Sequence, residues 1–78
     1  MKTTDYFKMV KARRDRAGIR DAWITRVIQR PQHESVQADG RIRRWARIDE
    51  AGGRWLRVVV LADGETVHNA FFDRGFKP

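Results

Sequence analysis

An α+β fold, with two helices packed on one face of a four-stranded antiparallel meander (ααββββ), is predicted by three features of this 78-residue chain. Apolar residues recur at helical spacing up to Pro31. Beyond it they alternate with polar ones, and glycine-bearing turns at Asp39-Gly40, Gly52-Gly53 and Asp63-Gly64 divide the second half into four strands. The length suits one domain spanning residues 1–78, near the lower limit for a core that needs no staple. With no cysteine, there is no disulfide framework and no thiolate metal site.

Each element has a local reason. Residues 4–17 place Tyr6, Phe7, Val10 and Ala17 on one side of a basic helix. Thr4 is suited to cap it, Asp5 to meet the positive end of its dipole, and Gly18 to end it in the left-handed conformation. A second helix follows, with Trp23, Ile24, Val27 and Ile28 as its apolar stripe, Ile19 stapling its entry, Asp21 in its first turn and Pro31 stopping it. The strands are expected at residues 33–38, 41–50, 54–62 and 65–72. The pairs Asp39-Gly40 and Asp63-Gly64 each suit a two-residue type I′ turn, and Ala51-Gly52-Gly53 suits a three-residue loop.

These turns imply a register. Across the last hairpin, Val60 faces Val67, Val58 faces Asn69 and Leu56 faces Phe71 on the helix side, while Trp55, Val59 and Leu61 share the other side with Phe72, Ala70, His68 and Thr66. In the middle hairpin the three-residue loop puts Ile42, Ala46 and Ile48 beneath the helices. Arg41, Arg43, Trp45, Arg47, Trp55, Arg57 and His68 are left on the open face. The same register sets Arg47 directly across from Arg57, a like-charge pair that an anion would relieve.

Seventeen basic residues against ten acidic ones give a net charge of +7, and thirteen of the seventeen are arginine. Guanidinium is always charged and forks two donors toward a phosphate, so a polyanion, most commonly nucleic acid, is the expected partner, with an acidic protein or a basic surface without a specific ligand as the other readings, and RNA is the nucleic acid expected on the sheet face. Arg43, Arg47 and Arg57 would neutralise phosphates and Trp45 would stack on an unpaired base, with Arg74 and Lys77 extending the basic rim. Two other readings of this face are a packed, exposed sheet surface and a protein-binding patch. His68, diagonally near Arg57 and Arg47, is the candidate general acid or base for metal-independent RNA cleavage, although a lone histidine on a strand is more often structural. The other histidine, His33, lies at the entrance to the first strand with less around it.

Nothing points to a cofactor or a metal: there is no nucleotide-binding glycine loop and no ligand spacing around either histidine. Asp39 and Asp63 are read as turn residues, and Asp73-Arg74 as an ion pair at a strand end. Neither a signal peptide nor a stretch of membrane-spanning length is present, so a cytoplasmic, soluble protein with no membrane partner is expected.

The order of elements, the isoleucine-led second helix ending in proline, and the runs "DGR", "LRVVV" and "FFDR" resemble a set of small uncharacterised bacterial and phage-associated proteins. That set is similar to toxins of the RelE, ParE and BrnT type, the RelE-like ribonuclease superfamily. The resemblance implies helices on one face of a small sheet, a metal-independent endoribonuclease acting on messenger RNA, and neutralisation by an acidic antitoxin-like protein. It assigns working roles to Arg47, Arg57, His68 and Arg74. The chain departs from such proteins in having Tyr6 and Phe7 where a first-helix histidine is often found, and in having no evident strand before that helix.

Overall fold

A computed structural model describes every residue from Met1 to Pro78. Two helices, α1 (Asp5–Lys11) and α2 (Asp21–Gln29), precede strands β1 (His33–Val36), β2 (Ile42–Ile48), β3 (Arg54–Val60) and β4 (Val67–Phe72). The strands pair antiparallel in the order β1-β2-β3-β4, an open meander. Helix α1 lies against β4, and α2 against β2 and β3. Between helices and sheet, Phe7, Ile24, Val27, Ile48, Leu56, Val58, Val60 and Val67 are almost fully buried. Removing any large member of that set is expected to cost about 2–5 kcal/mol.

The first helix is shorter than its predicted span. After Val10, which is fully buried, the next buried apolar residue is Ile19, and the arginine-rich stretch between them runs in turns. Arg16 in that stretch donates from Nε to the carbonyl of Ala70 at 2.9 Å, tying the connection to β4. Gly18 does not adopt a left-handed conformation. The Thr4 cap is present, with its hydroxyl accepting from Phe7 N–H at 3.1 Å. Before the cap there is an element that periodicity did not reveal: Thr3 bridges Val67 in parallel, with Thr4 N–H donating to Val67 O and Val67 N–H to Lys2 O, both at 2.9 Å.

Every hairpin differs from its expected form. A type I′ turn needs positive φ at both central residues, yet no non-glycine residue has one. At both Asp-Gly pairs only the glycine is left-handed, and the aspartate caps the loop instead: Asp39 Oδ1 accepts from Arg41 N–H, and Asp63 Oδ1 from the amides of Glu65 and Thr66. The middle loop is two residues longer than expected. A 3-10 turn over Asp49–Ala51 is followed by Gly52 and Gly53, both left-handed, and Arg26 on α2 grips Glu50 with two hydrogen bonds of 2.7 and 3.0 Å.

A shift of two residues preserves which side chains face the helices. It also changes the partners: Arg47 now opposes Trp55, and Arg57 opposes Trp45. The like-charge pair predicted between Arg47 and Arg57 does not form, and no repulsion remains there for an anion to relieve. In the last hairpin Val60 pairs with Val67 as expected. Then a bulge intervenes, and Val59 opposes Asn69, Val58 opposes Ala70 and Leu56 opposes Phe72. The extra residue reverses the faces assigned to the end of β4. Ala70 is buried and Phe72 packs against the core, because an Asn and a Phe beneath the helices would have left an amide without partners.

Candidate nucleic-acid interface

The open face of the sheet carries two adjoining arrangements. The first lies around the bulge. There His68, the inserted residue, and Asn69 both stand against Val59, so His68 stays on the open side although the strand beyond it has reversed. An open pocket of about 260 Å³ is bounded by Tyr6, Arg41, Arg57, His68 and Asn69, with Phe71 at its wall. Tyr6 reaches it because the bridge at Thr3 starts α1 beside β4, and its ring stacks on His68 at a centroid separation of 4.8 Å and an interplanar angle of 23°.

His68 is held from behind. Its Nδ1 lies 3.1 Å from Thr4 Oγ1, the hydroxyl that also caps α1. Burial, and then the Arg41 charge, keep the imidazole below its usual pKa, with Asp39 pulling weakly the other way. If Nδ1–H donates to Thr4, Nε2 retains its lone pair as a base. The pocket therefore offers a neutral imidazole, two guanidiniums and a phenol, a set suited to an oxyanion with an exchangeable proton nearby.

The second arrangement is aromatic. Trp45 is buried on the open face, because the segment after β4 folds back over it. Phe76 stacks on Trp45 at 4.7 Å and 18°, and meets Trp55 at 5.1 Å and His33 at 5.2 Å. Asp73 Oδ2 accepts from Trp45 Nε1 at 3.0 Å and lies 3.8 Å from Arg57 Nε. Asp73 therefore pairs with Arg57 and Trp45, and not with Arg74 as its sequence neighbour suggested. An aromatic stack contributes about 0.5–1.5 kcal/mol beyond its buried area, and a hydrogen bond to a charged group about 1.5–3 kcal/mol.

Arg57 joins the two arrangements. Its guanidinium carbon is 5.2 Å from the centroids of both Trp45 and Phe71, and its buried Nε has no hydrogen-bond partner. Arg43, two residues before Trp45 on β2, lies 5.9 Å from the same indole centroid, and its Nε is also buried without a partner, as is Ser35 Oγ on β1. Each of these three buried polar atoms forgoes its hydration, and all three lie on the open face of the sheet.

The sequence-predicted residues thus separate. His68 and Arg57 come together; Arg43 and Trp45 adjoin them on the same face. Arg47 stands apart, exposed beside the β2–β3 loop, where its Nε is 3.5 Å from Asp49 and its guanidinium lies over Gly53. Arg74 and Lys77 are exposed on the returning segment, with Arg74 on a separate pocket bounded by Arg54, Trp55, Phe72 and Phe76.

Tyr6, Arg41, Asn69, Asp73 and Phe76 were not singled out as site residues. The signal for Phe76 was present in "FFDRGF", where Asp73 and Gly75 mark a reversal able to return the ring to the sheet. Tyr6 sits beside the cap that positions it, at the departure from the toxin pattern already noted.

No cluster of three or more His, Cys, Asp or Glu side chains is placed to hold a metal ion, and no helix is long and apolar enough to cross a membrane. No family model, curated protein or solved structure matches the chain.

Proposed function

We propose that this protein binds single-stranded RNA on the open face of its sheet, with a backbone phosphate in the pocket between Arg41, Arg57 and His68. The observation that carries this reading is the convergence of two guanidiniums and a neutral imidazole on one open pocket beside a buried tryptophan flanked by arginines. Guanidiniums bind phosphate by charge and paired donors, and an indole face accepts a base of any sequence. An excess of seven positive charges attracts the strand at long range.

The state of His68 favours a second step on the same ligand. In metal-independent cleavage, Nε2 takes the proton of a ribose 2′-hydroxyl, whose oxygen attacks the adjoining phosphorus. The bond to the 5′ oxygen breaks, that oxygen takes a proton from water, the resulting hydroxide takes the proton held on Nε2, and a 2′,3′-cyclic phosphate remains. Arg41 and Arg57 would stabilise the charge that builds on the phosphorane oxygens. This is the activity the toxin resemblance implies, with Tyr6 beside His68 and Arg47 outside the site. An acidic antitoxin-like protein would cover the same face, its carboxylates meeting Arg41 and Arg57 as Asp73 meets Arg57.

Fluorescence anisotropy with a short labelled RNA, in chelator, tests both steps. Arg57→Ala and Arg41→Ala should each weaken binding and lower the salt slope by about one. His68→Ala should leave binding nearly intact and abolish the cyclic-phosphate product. Equal binding by the arginine variants and the unmodified protein would refute the phosphate pocket, and product formation by His68→Ala would remove the histidine from catalysis.

A further inference from the structure

The geometry points to a nucleotide subsite on Trp45 and Arg57 that the segment Asp73–Phe76 occupies, so that these residues must leave when RNA binds. The inference rests on the RNA-binding reading above and specifies how the ligand lies. Phe76 is stacked on the indole at the separation and near-parallel angle of a bound base. Three residues earlier, Asp73 presents a carboxylate to Trp45 Nε1 and toward Arg57 Nε, where the base's own phosphate would meet a cation.

The segment holds this shape by itself: Phe76 N–H donates to Asp73 O, and Gly75 N–H to Asp73 Oδ1, so an anion and a flat ring are returned to the sheet together. It is a stand-in for one nucleotide built from protein.

The fit is incomplete on the anionic side. Arg57 Nε is 3.8 Å from the carboxylate and remains without a hydrogen bond. A phosphate has more acceptor oxygens than a carboxylate and would supply Arg57 Nε with the bond it lacks. Exchange of the segment for RNA would therefore replace an aromatic stack with another stack, and supply a partner that the closed state leaves missing. Arg74 and Lys77, carried on the same segment, would be released toward the strand, so truncation would remove cations along with the plug. Point substitutions are the cleaner probe.

Asp73→Asn removes the charge and one of the two acceptor oxygens, so that Trp45 Nε1 and Gly75 N–H can no longer both be satisfied, and Phe76→Ala empties the indole face. Both should bind a short fluorescein-labelled single-stranded RNA tighter than the unmodified protein, Phe76→Ala by about fivefold, the value of a weak stack. The Trp45 indole N–H resonance of the unmodified protein should move on RNA saturation toward its position in Asp73→Asn.

Binding by the unmodified protein that neither variant tightens would overturn the stand-in while leaving the RNA-binding face intact. Binding only by the variants would support it. No binding by any of the three would overturn both readings, including the case in which an acidic protein is the true ligand of this face. Should Phe76→Ala fail to fold, Asp73→Asn and the indole resonance decide.

Discussion

One imidazole ties stability to pH and, on the proposed RNA-binding reading, ties affinity to pH in the opposite sense. Burial and Arg41 lower the His68 pKa in the folded chain, against the partial offset of Asp39, while Thr4, Tyr6 and Arg57 face the ring without settling its charge. Below the ordinary histidine value of about 6.5 the unfolded chain therefore takes up a proton before the folded one does, and stability falls as pH falls through that window. A phosphate beside the ring reverses the preference, so RNA binding takes up a proton and should tighten over the same window. His68→Gln should flatten both trends. Thermal melts and binding isotherms across the window check this, and RNA affinity that weakens on acidification would exclude a phosphate next to His68. That His68 lies on the open face could be read from the hairpin pattern. Its partners could not, because Tyr6 and Thr4 arrive from residues more than sixty positions away.

At the scale of elements, Arg44 shows what the period-two pattern concealed. It alternates onto the helix side of β2, between Ile42 and Ala46, where a charge would be costly if alone. Instead it reaches the rim, donating from Nε to Glu34 at 2.8 Å and from Nη1 to the carbonyls of Gly64 and Ile28 at 2.8 and 3.3 Å. One side chain thus fastens the end of α2, β1 and the β3–β4 turn to one another. Arg44→Met should cost about 1–3 kcal/mol through the stranded carbonyls, whereas Glu34→Gln should cost under about 1 kcal/mol. Urea unfolding distinguishes them, and equal midpoints would show that the carbonyl bonds do no fastening. The helices and strands themselves were legible, since Thr4, Pro31 and the glycine turns act through their immediate neighbours. Loop lengths were not: the middle hairpin is set by Glu50 meeting Arg26 across 24 positions, a long-range contact that no turn rule contains.

For the molecule as a whole, a radius of gyration of 11.5 Å leaves little interior, and nearly all of it lies on one side of the sheet. The other side is organised by cations, indoles and a returned carboxylate. The bulge in β4 is where the two sides are reconciled. If His68 were deleted, the remaining order Val67, Asn69, Ala70, Phe71, Phe72 would alternate inward and outward without interruption, and the same core would form on a regular ladder. The chain is thus one residue longer than its architecture requires, and the surplus residue is the histidine. The deletion variant should melt cooperatively, close to the intact protein, and, on the proposed ribonuclease reading, yield no cyclic-phosphate product. Loss of folding would show instead that the insertion is structural. A length change of one, invisible to any substitution, is therefore the mutation that most directly separates what this sequence uses to fold from what it uses to act.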